Sequence, residues 1–462
     1  MNIPSALTDS LKQVNGFHEE AFLHAHRQPA APTSIRLNPR KADTALLELL
    51  KADGMRFSRP VPWCPQGRYL HERPAFITDP LFHAGAYYVQ EASSMFLEQA
   101  LRQTDRLSEP QTVLDLCAAP GGKSTHIESL LAPGSLLVSN EVIRSRTGVL
   151  AENCSKWGME NAVVTGNAPA DFGRLPGFFD VVVADVPCSG SGLFRKDPQA
   201  INEWSPEQVL FCSRRQQKII AEVWPALKTG GLLIYSTCSF SPEENEQVID
   251  RIATQSKVRS LPLTCESGWH IVETESEQHG LKGYRFFPDQ VGGEGFYLAV
   301  LQKMDETESR ATNPKSFRFD RPTRQQLPMI APFMKVDQSQ DALIMHEMEL
   351  IAFPEPNLEQ LAQLKQSLYI KKAGVQVGTV KNRDFIPHAD LPLSTRCHPD
   401  VPALKLDKER VLNYLRKNPF DIPASNRGWC TVGYGSLRLG WVKILEGRIN
   451  NHFPANWRIL HR

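Results

Sequence analysis

Two cysteines stand fifty residues apart, each just past an apolar run that reads as a buried strand. Cys188 lies in A-D-V-P-C-S-G, from Ala184 to Gly190, and Cys238 in Y-S-T-C-S, from Tyr235 to Ser239. A thiolate is a strong nucleophile, and a second group able to handle a proton beside it makes covalent catalysis by addition and elimination possible. One such cysteine would read as a small buried hydrophobe. Two, each opening a polar loop at the carboxyl end of a strand, point to a shared crevice, because that is where parallel sheets bind ligands. A free thiol is only a few per cent ionised at pH 7, so the site needs a positive field. The sequence offers a helix N-terminus: Ser241-Pro242-Glu243-Glu244 reads as a capping box with proline at the first helical position.

A second constellation lies upstream. Val113-Leu114-Asp115-Leu116 runs into Cys117, Ala118, Ala119, Pro120, Gly121, Gly122 and Lys123. Small residues and two glycines at a strand-to-helix turn let a ligand approach the backbone, and the next helix offers unpaired N–H groups. Glu141 ends the following strand, where a carboxylate can accept from both ribose hydroxyls. A third strand ends at Gly166-Asn167, where an amide can read an adenine edge, with Asp171 as the alternative. Gly122-Lys123-Ser124 also looks like the end of a P-loop, but Cys117 occupies the required glycine position and Pro120 lacks an N–H for phosphate. No G-x-G-x-x-G supports a nicotinamide cofactor. Beside a nucleotide-type cofactor, paired thiols suit one ring chemistry. Cytosine C5 is a poor nucleophile until a thiolate adds at C6 and creates an enamine, whose C5 can attack an electrophilic methyl. A second group then assists loss of the C5 proton and of the thiolate, while a carboxylate holds the base edge.

These residues need strands and helices in alternation. Apolar runs predict strands at 112–116, 135–139, 162–165, 180–184 and 232–235, with helices at 124–131, 145–156, 206–227 and 242–253. That order argues for a doubly wound parallel sheet. Short β segments at 270–273, 284–287 and 296–301 would complete it with antiparallel strands. Residues 1–80 read as an N-terminal α/β module with helical periodicity over 3–26 and 44–51. A helix is expected over 83–98, with Gln90 and Ser93 as polar residues near the site. The catalytic region would span 81–304, followed by a linker beyond Met304, an α+β module at 315–395 and a basic module at 400–462.

The chain has 462 residues and a formal net charge of +1, but residues 401–462 hold eleven Lys and Arg against four Asp and Glu. Such a module favours a polyanion, because neutralised phosphates release counterions. None of the nine cysteines stands in a C-x-x-C spacing, so no metal site is expected. No signal-like start or membrane-length apolar run is present, and a cytoplasmic protein with reduced thiols is expected.

The motifs D-L-C-A-A-P-G-G-K, A-D-V-P-C-S-G, F-R-K-D-P and Y-S-T-C-S with downstream E-E-N-E resemble those of the RNA (cytosine-5) methyltransferases, over residues 34–302. The resemblance implies S-adenosyl-L-methionine as cofactor and the seven-stranded methyltransferase sheet. It implies Cys238 as nucleophile and Cys188 as the thiol assisting product release. Asp185 would hold the cytosine edge, residues 117–123 the methionine part and Glu141 the ribose. Asn167 stands where the family usually has aspartate, and Val186 where its D-A-P-C motif has alanine. The segments V-G-T-V-K-N-R-D-F-I-P-H-A-D and G-S-L-R-L-G-W-V-K-I-L-E-G-R-I-N-N-H-F-P-A-N-W-R-I resemble the C-terminal extension of the RsmF-type enzymes, which methylate 16S ribosomal RNA and carry a PUA-like module. This implies RNA as partner, as 16S rRNA or the 30S subunit, bound by a monomer. A transfer RNA target, or an RNA-binding assembly factor without chemistry, is the alternative. Lys443, Arg448, His452 and Trp457 fit RNA contact, with Arg448 at the surface and Trp441 in the core.

Overall fold

The computed structural model describes residues 2–28, 32–306, 318–335, 337, 341–346, 348–381, 384–422 and 427–460. The expected linker falls, from residue 307 on, outside the described residues.

Seven strands form the catalytic core: β1 (Thr112–Asp115), β2 (Leu136–Asn140), β3 (Ala162–Thr165), β4 (Phe179–Asp185), β5 (Leu227–Thr237), β6 (Lys282–Phe286) and β7 (Phe296–Lys303). Their spatial order is β6-β7-β5-β4-β1-β2-β3. The five strands from β5 to β3 are parallel; β7 pairs antiparallel with β5, and β6, antiparallel to β7, runs in the same direction as the five. The parallel strands are apolar nearly throughout because helices cover both faces; every residue of β1, β2 and β3 is buried. Asp115, Glu141, Asn167, Asp185 and Cys238 therefore all lie at or just past the carboxyl ends of parallel strands. The order reverses at β1, with β2 on one side and β4 on the other, which is where such folds bind ligands.

Three further strands enlarge this sheet to ten. Val272–Glu275 pairs with β6, Val258–Ser260 with β7, and Ile370–Ala373 lies antiparallel to β3. The last comes from the α+β module, so that module is joined to the catalytic sheet by backbone hydrogen bonds. Its own sheet has the order Asp341–His346, Glu349–Pro354, Val375–Lys381, Asp384–Pro387. The terminal module is a four-stranded sheet beside the helix Lys408–Arg416.

Two sequence expectations change near the N-terminus. Helical periodicity over 3–26 resolves into two helices, Ser5–Leu11 and Glu19–Arg27, separated by a turn in which Gly16 takes φ +73°. The helix expected over 83–98 is instead a strand, Tyr87–Val89, a 3₁₀ turn, Ser93–Phe96, and a short helix, Leu97–Arg102. Tyr87–Val89 pairs with Ser34–Leu37 and closes a four-stranded N-terminal sheet. Tertiary pairing overrides local periodicity here. Gln90 is buried and accepts from Arg36 Nε at 2.8 Å, and Ser93 donates to the Glu294 carbonyl at 3.3 Å.

Candidate functional site

The loop after β1 is held on all sides. Leu116 N–H donates to the Val183 carbonyl and Ala118 N–H to the Asn140 carbonyl, at 2.9 and 2.8 Å, tying the loop to β4 and β2. Arg146 donates to the Ala119 carbonyl at 2.6 Å and Asn153 to the Pro120 carbonyl at 2.8 Å. Gly121 takes φ +115°, a conformation L side chains rarely adopt, and leads directly into the helix Gly122–Glu128. A methyl group on Gly122 would lie 3.3 Å from Tyr88 Cε1, so this glycine also makes room for the N-terminal module.

Asp115 is fully buried beneath the loop. Its Oδ2 accepts from Ser124 Oγ at 2.6 Å, while Oδ1 has no donor among the described residues. Burial pushes its pKa up to about 7. Glu141 is buried at the end of β2; its Oε1 accepts from Ile143 N–H at 2.8 Å and Oε2 lies 3.5 Å from Arg146 Nη1.

The two thiols that the sequence left fifty residues apart come together. Cys188 Sγ and Cys238 Sγ are 3.1 Å apart and both are partly exposed. The hydrogen bond with Cys238, together with burial, holds the Cys188 pKa well above the ordinary thiol value, so Cys188 keeps its proton at neutral pH. Asp185, at the end of β4, accepts from Ser236 Oγ at 2.8 Å and pairs with Lys123 Nζ at 2.7 Å. Burial works to lower the Lys123 pKa, but Asp185 and Asp115 outweigh it and hold the ammonium above its usual range. Lys123 thus links the cofactor-type loop to the carboxylate and thiol of the second constellation.

The positive field expected from a helix at Pro242 takes another form. Pro242–Glu244 is a single 3₁₀ turn, and the α-helix begins only at Glu246. The capping box does not form: Ser241 N–H donates to Ser239 Oγ at 3.1 Å, Ser241 Oγ has no hydrogen-bond partner among the described residues, and the Glu244 carboxylate turns toward the cysteine loops. A fixed cation, Lys123, paired with Asp185 at 2.7 Å, supplies positive charge to the site.

Glu244 is a functional residue that local sequence reasoning missed. Fully buried, its Oε2 accepts from Ser189 Oγ and Ser239 Oγ, both at 2.5 Å, and its Oε1 accepts from Ser189 N–H at 2.7 Å. One carboxylate thereby binds the residue after each cysteine. The rest of E-E-N-E continues the brace: Asn245 donates to the Ser239 carbonyl at 2.8 Å, and Glu246 pairs with Arg285, which donates to the Phe240 carbonyl at 2.6 Å. Gly192 is equally constrained, since a methyl group there would lie 2.5 Å from the Cys238 carbonyl oxygen. In the sequence Glu244 figures in the E-E-N-E string and in the capping-box pattern, neither of which points to Ser189.

Asn167 does not present a free amide. Its Oδ1 accepts from Tyr369 N–H and its Nδ2 donates to the Tyr369 carbonyl, both at 2.9 Å. Asp171, the alternative, accepts from Ala168 N–H at 3.0 Å and faces Arg174. In the terminal module Trp441 is buried, its indole N–H donating to the His388 carbonyl at 2.8 Å, and Arg448 is exposed. Trp429, not singled out by sequence, packs against His452 with ring centroids 4.5 Å apart and planes tilted by 60°, and lies under Lys443 Nζ at 5.3 Å, an aromatic and basic cluster. Among the described residues, no helix is long and apolar enough to cross a membrane.

One further group brings thiol, carboxylate and imidazole together. Cys64 Sγ donates to Glu98 Oε2 at 3.1 Å, His126 Nε2 lies 2.9 Å from the same oxygen, and Arg102 donates to Oε1 at 2.6 Å. All three metal-capable side chains are buried. Burial and the adjacent Glu98 push the Cys64 pKa up to about 12, and burial pushes that of His126 down to about 4. In this arrangement the three side chains serve one another as hydrogen-bond partners.

Three family models match the chain: 16S rRNA methyltransferase RsmB/F over residues 103–302, the N-terminal domain of 16S rRNA methyltransferase RsmF over 3–92, and the methyltransferase RsmF PUA domain over 401–459. Ribosomal RNA small subunit methyltransferase F of Vibrio vulnificus strain YJ016 is 33% identical over 98% of this chain and 97% of its own. The Shewanella piezotolerans protein of the same name is 28% identical over 95% and 93%. A methyltransferase homologue from Pyrococcus horikoshii is similar in structure, with TM-score 0.52 and 28% identity over 65% of this chain and 99% of that one. NSun6 from the same organism, solved with SFG, shares the fold at TM-score 0.55 and 20% identity over 66% and 99%. With matching models at both ends and in the middle, and near full-length similarity to the Vibrio protein, the chain belongs to the ribosomal RNA small subunit methyltransferase F family.

Proposed function

We propose that this protein methylates C5 of a cytosine in 16S ribosomal RNA through a covalent bond between Cys238 and C6 of the base. S-adenosyl-L-methionine is the cofactor, and when bound it supplies an electrophilic methyl group. The residues present fit it. Asp115 Oδ1 is a buried acceptor with no donor among the described residues, Gly121 and Gly122 leave the loop without side chains, and Glu141 offers a carboxylate at the end of β2. In this reading residues 117–123 hold the methionine part and Glu141 the ribose, with Asn167 bordering the adenine end through the residue it anchors.

The observation that carries the reading is the 3.1 Å approach of Cys188 and Cys238 beside Asp185 and Lys123. The Cys238 thiolate adds to C6, and the displaced electron pair makes C5 nucleophilic. Asp185, about one third exposed, holds the base edge, and Lys123 fixes that carboxylate. After C5 is methylated its proton is lost to a base, the C6–S bond breaks and the electron pair returns to Cys238. Cys188, which retains its proton, donates S–H to the departing sulfur and so assists release. The target base must be unpaired or flipped, since attack at C6 needs the ring face. Loop, carboxylates and both thiols lie in one chain, which supports a monomer as the working unit. The N-terminal module (1–80) and the modules at 315–395 and 400–462 are assigned to gripping RNA around the catalytic region (81–304), the last through Trp429, Lys443, Arg448 and His452.

Tritium transfer from labelled cofactor tests this directly. Incorporation at cytosine C5 of 16S rRNA or of the 30S subunit, absent in Cys238→Ala, is the expected result. Label in transfer RNA instead would replace the substrate, and no label in any RNA would leave a binding protein without chemistry.

A further inference from the structure

The α+β module contributes a side chain at the adenine end of the crevice. The helix Leu358–Ser367 delivers the chain to Tyr369, which immediately precedes the strand that pairs with β3, with Ile370 opposite Thr165. The Tyr369 backbone is held on both sides by Asn167, and Gly166 N–H also donates to its carbonyl at 3.4 Å. An amide is required for this: aspartate, the residue the family motif has here, could accept from the N–H but not donate to the carbonyl. The departure at Asn167 is thus accounted for by the neighbour it grips.

Although its backbone is fixed, the Tyr369 side chain is 55% exposed. A methyl group on Gly166 would lie 3.5 Å from Tyr369 Cδ1 and 3.7 Å from the Glu141 carbonyl oxygen, so the ring stands where β2 and β3 end together. The two residues after Glu141 are also apolar and open, Val142 at 53% and Ile143 at 45%. Three exposed apolar side chains thus rim the crevice next to the carboxylate assigned to the ribose. A flat ring and two branched aliphatic side chains suit a purine, which gains from stacking on an aromatic face and from apolar contact at its edges.

Resting on the cofactor site proposed above, we infer that Tyr369 packs against the adenine ring of S-adenosylmethionine, so that a module outside the methyltransferase sheet completes its cofactor pocket. Calorimetric titration of the full-length chain tests this with two probes, S-adenosylhomocysteine and 5′-methylthioadenosine, which share the adenosyl group and differ in the amino-acid arm. Tyr369→Phe should bind both within about twofold of the wild type. Tyr369→Ala should weaken both by the same factor, about tenfold, the loss expected for one base–aromatic stack. Tyr369→Leu, which keeps the volume without the aromatic face, serves if the alanine variant melts early and should fall between the two. Unchanged affinity for both probes in the alanine or leucine variant overturns the inference, as does a loss confined to S-adenosylhomocysteine. A loss of 16S rRNA affinity with cofactor affinity intact would assign Tyr369 to the nucleic acid instead. Failure of the wild-type chain to bind S-adenosylhomocysteine would count against the cofactor site itself, and so is distinguishable from failure of the Tyr369 assignment.

Discussion

The chain contains two clusters in which a thiol meets a proton-handling group and a carboxylate, and they differ chiefly in what surrounds them. At Cys64, the thiol, Glu98 and His126 are enclosed between the N-terminal sheet and the helix Gly122–Glu128, hydrogen-bonded to one another, with Arg102 on the outer oxygen of Glu98. At Cys188 and Cys238, the carboxylate is hidden and the sulfurs are not: Glu244 is fully buried while both cysteines remain partly exposed at strand ends. The difference teaches that residue type does not make a reactive thiol. In the first cluster burial and the touching carboxylate hold the proton on the thiol; in the second the carboxylate binds the serines next door, and Lys123 pairs with Asp185 between the two constellations.

The sharpest test of this contrast removes one sulfur at a time. Cys238→Ala should lower methyl transfer by about a thousandfold or more, since it removes the sulfur assigned to the C6 bond. Cys188→Ala should also stop turnover but accumulate a slowly migrating, nuclease-sensitive RNA adduct on denaturing gels. An adduct in the first variant and none in the second would exchange the two roles. Cys64→Ala should leave the transfer rate unchanged below its melting temperature, and a fall comparable to that of Cys188→Ala would erase the distinction between the clusters.

Next in size is the brace. Glu244→Ala frees Ser189 and Ser239 together, and misplacing the sulfurs by about 1 Å is worth about a hundredfold in rate. Rate should fall by that order with cofactor affinity unchanged, measured by tritium transfer alongside S-adenosylhomocysteine titration. A variant that keeps the wild-type rate would show that the loops hold the sulfurs without it.

The enclosed cluster should show itself in stability. His126 is neutral in the folded chain down to about pH 4, whereas the unfolded chain takes up a proton near pH 6.5. Between those values the unfolded state binds more protons, so stability falls as pH drops from 6.5 to 4, by about 3 kcal/mol for this residue. His83, neutral to about pH 4 through burial, adds a similar slope. Denaturant melts of His126→Gln should therefore lack the acid destabilisation that His126 contributes, against the opposite slope that the raised Asp115 carboxyl gives wild type and variant alike. The smallest effect belongs to Cys64→Ala, about 1 to 2 kcal/mol from one lost hydrogen bond and a small void, read from the same melts.

Much of the catalytic region was legible because its signals are local. An apolar strand followed by small residues marked the loop at 117–123, and the two cysteine motifs marked the opposite side of the crevice. What sequence could not supply were pairings across long separations. Ser241 to Glu244 satisfied the pattern of a capping box, yet Glu244 is recruited by Ser189, fifty-five residues upstream. Residues 83–98 carry helical spacing, yet Tyr87–Val89 is drawn into a sheet by Ser34–Leu37. Nothing near Asn167 in the chain competes for its amide, so local sequence leaves it open for an adenine edge, yet its partner lies 202 residues away. In each case a local preference of a few tenths to about 1 kcal/mol yields to tertiary hydrogen bonds and burial.

The strand Ile370–Ala373 has a consequence for biosynthesis. Until it leaves the ribosome, β3, an all-apolar strand but for Thr165, is the open margin of the catalytic sheet, with its N–H and C=O groups free to pair with another nascent chain. Synthesis must run roughly two hundred residues past β3 before that margin is sealed, which is about 10 to 40 s at ordinary elongation rates. A chain stopped short of residue 370 would carry every residue assigned to methyl transfer and still be prone to aggregate through that margin.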